Sequence, residues 1–266
     1  MRYFLELGYL GSPFYGWQRQ PDRPTVQQSV EQALATLLQE PVEVVGAGRT
    51  DTGVHAAYYV AHADFARPVE DAEQLLYKLN RLLPVAIVAH RLTPVAETAH
   101  ARFSAVEREY RYFVEPRKNP FTQAMRWQYT VPLDVGRMNE AARCLLETDD
   151  FTTFAKLNSN NTTNRCSVRR AAWERGTEGE LRFTIRADRF LRNMVRAIVG
   201  TLVDVGRGRY TAEEFRAIVA ARDLSLASTG APAQGLFLSD VRYPPELFER
   251  GVARTRDFAD TKTLFY

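Results

Sequence analysis

The feature that most restricts the fold is a polar, glycine-bracketed segment, GAGRTDTGVHA (46–56), set between two apolar runs. PVEVV leads into it and AYYVAHADF leads out. Both runs are rich in β-branched and aromatic residues, and each reads as a strand. A charged pair, Arg49 and Asp51, therefore rides on a loop between two strands. Glycine opens backbone conformations closed to other residues and lets neighbouring chain approach closely. Loops of this kind hold functional groups on a rigid scaffold, and they also serve as plain polar turns.

That context excludes two common nucleotide sites. VEVVGAG looks like the start of a dinucleotide-binding βαβ unit, but the third glycine, Gly53, falls too late and a β-rich run follows instead of a helix. A phosphate loop needs Gly-Lys-Ser/Thr, which is missing here. His55 and His62 follow the loop, yet their spacing matches no metal motif and no thiolate lies nearby, so no metal site is expected.

The rest of the chain alternates between two periodicities. RYFLELGY reads as a strand, and Thr25 with Gln28 opens a helix faced by Val26, Val30, Ala33, Leu34, Leu37 and Leu38. After the two strands around the loop come a helix faced by Ala72, Leu75, Leu76, Leu79 and Leu82, and the strand VAIVAHRL. The second half repeats the logic. REYRYFVEP is a strand, and Val135 to Leu146 marks a helix. SVRRAAWE and ELRFTIRA are strands joined through GTEG. Leu191 to Val203 is a helical stripe, Thr211 with Glu214 caps another helix, and GLFLSDVRY closes as a strand. This predicts an α+β chain of two split-βαβ halves, residues 1–104 and 105–244, with a tail at 245–266. KLNSNNTTNR (156–165) is expected to be a surface loop.

Two cysteines, Cys144 and Cys166, do not make a disulfide scaffold and fit a reducing compartment. The start, MRYFLELGYLG, alternates like a strand and has no signal-peptide core, and no apolar run reaches membrane-spanning length. A cytoplasmic protein with no membrane contact is expected. Net charge is only +3, but eleven arginines stand against five acids between Arg165 and Arg209, so that segment carries +6. A local basic region is a plausible nucleic-acid footprint.

Asp51 is the one acid of its loop, and a carboxylate can act as base, nucleophile or metal ligand. Arg192 and Arg196 share one stripe of the expected helix 191–205, beside its apolar face, where an arginine usually has a carboxylate partner. Tyr110 and Tyr112 alternate with Arg108 and Arg111, so the tyrosines share a strand face. Aromatics beside cations suit base stacking, although strand tyrosines are commonly core residues.

Taken together the motifs resemble the pseudouridine synthases of the TruA type. GRTDTGVHA is similar to that family's central signature. FYGWQRQ (14–20), TVQQSVEQAL (25–34), ARFSAVEREYRY (101–112), RFLRNMVRAIVGTLVDVG (189–206) and APAQGLFLSDVRYP (231–244) resemble its other motifs, in order, from Met1 to Pro244. The resemblance implies two ferredoxin-like or RRM-like halves whose antiparallel sheets meet at a central RNA-binding cleft. It implies a homodimer that isomerises uridines 38, 39 and 40 of the tRNA anticodon stem-loop, without metal or small-molecule cofactor. By that likeness Asp51 is the catalytic residue, Tyr110 packs on the target base, and Arg49 fills the space the flipped nucleotide leaves. Arg196 pairs with the catalytic carboxylate, and Val195 and Leu191 line the pocket. The basic segment, Arg189 and Arg192 included, would hold the RNA backbone, with loop 156–165 as a further contact. Two departures stand out: Tyr58-Tyr59 where the family often has Gly-Gln, and Ala99 where it often has Phe. The competing readings are a non-catalytic RNA-binding module and a metal-dependent phosphatase or nuclease built on Asp51. The absence of a second nearby carboxylate in the sequence counts against the latter.

Overall fold

The computed structural model describes residues 1–156 and 162–248. Its elements run β1 (Arg2–Tyr9), α1 (Val26–Leu38), β2 (Val44–Gly46), β3 (His55–Asp64), α2 (Ala72–Leu82) and β4 (Ile87–Pro94) in the first half. The second half adds β5 (Glu107–Glu115), β6 (Trp127–Gln128), α3 (Val135–Ala142), β7 (Val168–Arg175), β8 (Leu181–Ala187), α4 (Met194–Gly206), α5 (Ala212–Ala221) and β9 (Leu236–Arg242). The expected α+β class is what the chain adopts.

Helix starts follow their caps. The Thr25 hydroxyl accepts the Gln28 N–H at 3.4 Å. Thr211 and Glu214 form the full reciprocal box, with Thr211 N–H donating to the Glu214 carboxylate at 2.7 Å and Glu214 N–H donating to the Thr211 hydroxyl at 3.1 Å. Two expected helices are shorter than their periodicity suggested. Beyond Ala142 the chain tightens into a 3-10 turn over Arg143–Leu146, which leaves Leu146 exposed. The helix expected from Leu191 begins at Met194, because Asn193 takes a left-handed conformation (φ 65°) that helical backbone cannot pass through. Leu191 and Arg192 therefore sit on the turn ahead of α4, not on the helix.

The strands of both halves join in one nine-stranded sheet among the described residues, with central order β4-β1-β3-β9-β5-β8-β7. Neighbours pair antiparallel along that order except at one seam, where β3 meets β9 in parallel through His55 with Phe237 and Ala56 with Leu238. Helices α1 and α2 pack with the first half and α3, α4 and α5 with the second. Two cores result. One gathers Phe4, Leu7, Trp17, Leu34, Tyr59 and Leu79, and reaches across the seam to Leu238 and Val241. The other gathers Phe183, Met194, Ile198, Leu202 and Phe215, together with Val54 from the loop of the first half. Each core thus borrows side chains from the other half. Beyond β9 the chain stays on the first half, where Phe248 bridges to Val95 and meets Phe4 edge-on at 6.1 Å. The rest of the expected tail and half of the asparagine-rich loop, 157–161, fall outside the described residues. No helix among the described residues is long and apolar enough to cross a membrane.

Candidate active site

The GRTD loop lies directly before the seam, between β2 and β3, and its backbone is anchored from several sides. Ala47 N–H donates to the Val60 carbonyl at 2.8 Å, Trp17 N–H to the Thr50 carbonyl at 3.3 Å, and Val54 N–H to the Asp51 carbonyl at 3.1 Å. The last bond closes a turn that puts Gly53 at φ +78°, where a side chain would strain the backbone. Arg49 is left exposed, while the Asp51 side chain keeps 28% of its surface.

Asp51 meets cations from the second half. Arg192 Nε lies 3.5 Å from its Oδ1 and Arg196 Nη1 lies 4.0 Å from its Oδ2. The expected pair with Arg196 is thus present at long range, and Arg192, expected on the RNA backbone, is nearer. Arg196 is fixed by a 2.6 Å hydrogen bond from its Nε to the Ala231 carbonyl. Arg192 lies on the turn ahead of α4 and Arg196 on the helix itself, and both guanidiniums nevertheless face one carboxylate. Val195 and Leu191 are buried beside them, and Arg189 is half-buried, with its N–H on the Asp188 carboxylate.

Tyr110 is half-buried and packs against both cores. Burial pushes its hydroxyl up to about 12, and the negative charge of Asp51 adds to the rise. Phe190 meets its ring edge-on at 5.0 Å, a contact the sequence reading missed although Phe190 stands beside Leu191. Tyr112, on the same strand face, is fully buried, and its hydroxyl donates to the Pro232 carbonyl at 2.8 Å.

Two further residues, Arg108 and His55, hold the surroundings together in ways their sequence context did not show. Arg108 reaches the carbonyls of Ala105 and Asp188 through Nη1, and those of Ala47 and Arg102 through Nη2. One guanidinium therefore ties the GRTD loop to the 102–105 segment and to the end of β8. Burial lowers its pKa. His55, fully buried, accepts the Gly11 N–H at Nδ1 (2.9 Å), and its Nε2 lies 3.1 Å from both the Ala124 and the Gln234 carbonyls. Those partners require the neutral ring with its proton on Nε2. Burial lowers its pKa, in keeping with the neutral form.

The basic segment divides between two places. Arg169 and Arg186 pair with Glu107, Arg186 also with Glu109, and Arg170 and Arg182 with Glu174. Alternation puts Glu107 and Glu109 on the sheet face opposite Tyr110. Much of the local positive charge is thus matched by carboxylates away from Asp51.

Comparison with known proteins agrees with the motifs. The family model described as tRNA pseudouridine synthase matches residues 8–104 and 141–244. A tRNA pseudouridine synthase A of Parabacteroides distasonis is 52% identical over 248 residues, covering 93% of this chain and 98% of its own. Proteins of the same name from Porphyromonas gingivalis (48% identical, 93% and 99% covered) and Dinoroseobacter shibae (40%, 93% and 98%) are similar over the same extent. The chain belongs to the tRNA pseudouridine synthase family, isomerases that convert uridine to pseudouridine in tRNA.

Proposed function

We propose that the chain isomerises uridines 38, 39 and 40 of the anticodon stem-loop with Asp51 as its nucleophile or base. The observation that carries this reading is a half-buried carboxylate, Asp51, held between Arg192 and Arg196 from the other half of the molecule. Both guanidiniums lie within ion-pair range of the carboxylate to which attack or proton removal is assigned. The reaction breaks the N1–C1′ bond, turns the uracil and rejoins it through C5, so no atom is gained or lost. A stacked uridine must first leave the helix, at a cost of a few kcal/mol. Stacking on Tyr110 returns about 1–3 kcal/mol of that. The exposed Arg49 is free to fill the vacated stack or touch phosphate. Leu191 and Val195 give the uracil an apolar wall, and Arg189 contacts the RNA backbone. The protein works in the cytoplasm as a homodimer, and 1–104 and 105–244 are its domains.

The test is pseudouridine mapping in an undermodified tRNA for wild type and Asp51→Asn. Signal at 38–40 with wild type alone supports the assignment. A variant that still modifies tRNA moves the chemistry to another residue. A wild type that binds tRNA without modifying it makes the chain a binding module.

A further inference from the structure

The GRTD loop stands on a cluster of three aromatics. Tyr59 lies on Trp17 with centroids 4.1 Å apart and planes 28° from parallel, and Tyr9 lies 5.5 Å from Tyr59 and 6.2 Å from Trp17. None of the three is more than 5% exposed. Two phenols rise from this cluster to the loop. The Tyr59 hydroxyl donates to the Gly48 carbonyl at 2.5 Å, and the Tyr9 hydroxyl shares a 3.0 Å hydrogen bond with the Thr50 hydroxyl. Gly48 and Thr50 are the residues on either side of Arg49, and Thr50 precedes Asp51. The fit has no slack: a Cβ on Gly46 would lie 2.0 Å from the Tyr59 hydroxyl and 2.6 Å from the Trp17 ring. Burial raises the pKa of both phenols, so both stay protonated through the physiological range.

We infer that Tyr9 and Tyr59 are positioning residues that set Arg49 and Asp51 for reaction by fixing the loop on both sides of Arg49. Position 59 is also where the chain departs from the Gly-Gln pattern, and the stacked phenol makes its own hydrogen bond to the loop. Without it the Gly48 carbonyl loses a buried partner, and the loop gains freedom where small displacements are costly for catalysis. The inference rests on the proposed role of Asp51.

The experiment compares wild type, Tyr9→Phe, Tyr59→Phe and the double variant, since phenylalanine keeps each ring and removes only the hydroxyl. Single-turnover pseudouridine formation and tRNA affinity are measured separately, with thermal melts to verify folding at the assay temperature. The expected result is a rate lowered about tenfold in each single variant and further in the double, with affinity within about twofold of wild type. Unchanged rates in folded single and double variants would overturn the inference. So would rate and affinity falling in parallel, which is the mark of general loosening. A wild type inactive on tRNA, or an active Asp51→Asn, fails the proposed function instead and is recognised before any tyrosine variant is made.

Discussion

Acid should weaken this protein through His62. The residue sits on β3, 5% exposed, with Nδ1 accepting the Ala101 N–H at 3.1 Å. A protonated Nδ1 cannot accept, so the native contact requires the neutral ring. Burial lowers its pKa to about 4, the charges of Arg2 and His100 add to the fall, and Asp64 opposes it. The sign follows from linkage. In the unfolded chain the ring protonates near pH 6.5, while in the folded chain it stays neutral to about pH 4, so acid favours the unfolded state across that window. The contribution is complete above about pH 7 and lost as pH falls. Between about pH 7.5 and about pH 5 it amounts to about 2 kcal/mol. The effect reaches the site, because Ala101 precedes Arg102, whose carbonyl shares the Arg108 Nη2 with Ala47. Urea unfolding, followed by fluorescence of the buried Trp17 and Trp173, measures it at both pH values in wild type and His62→Asn. The variant cannot titrate at position 62 and retains an acceptor near Nδ1. Wild type should lose about 2 kcal/mol more than the variant. Equal losses would refute the reasoning and shift acid sensitivity to other groups.

Three further outcomes follow from the same geometry. Glu109 is 4% exposed and pairs with Arg186 and Arg111, so Arg186→Met leaves a buried carboxylate short of one partner and should cost about 3 kcal/mol in urea unfolding. Thr211→Ala removes the hydroxyl that accepts the Glu214 N–H and should cost about 1 kcal/mol without changing tRNA modification. Burial raises the Cys144 thiol to about 11 and the Cys166 thiol to about 12, so a thiol reagent near pH 8 should label neither until denaturant unfolds the chain.

Local pattern carried most of the architecture. The caps at Thr25 and Thr211, the strand at RYFLELGY and the GTEG turn between β7 and β8 all appear in the structure as the sequence implied, because each depends on residues a few positions apart. What stayed hidden was set by distant partners. Nothing near Asn193 announces its left-handed conformation, since the apolar stripe runs straight through it from Leu191. Tyr58-Tyr59 read only as a departure from Gly-Gln, whereas Tyr59 meets Trp17 from 42 residues away and bonds back to Gly48. Arg108 stood in plain view beside Tyr110, but a guanidinium satisfied by four carbonyls leaves no complementary acid in the sequence to reveal it. The ion pairs were hidden for the same reason, because Arg169, Arg182 and Arg186 meet carboxylates on other strands, while Arg170 meets Glu174 on its own.

The seam explains why the candidate groups converge where they do. The first half supplies Asp51 and Arg49 on a loop, and the second supplies Arg192, Arg196 and Tyr110. Neither half holds the constellation alone. The strands meet there through only two residue pairs, immediately after the loop. So short a parallel join is a weak clasp by itself, and other contacts must set the angle between the halves. Arg108 supplies one, His55 supplies a second by linking Gly11 to Ala124 and Gln234, and Val54 a third by packing into the opposite core. All three bear on the residues bordering the GRTD loop. The distance from Asp51 to its arginines is therefore governed by the same contacts that close the seam, and a substitution loosening the halves should reach the chemistry before it unfolds either core.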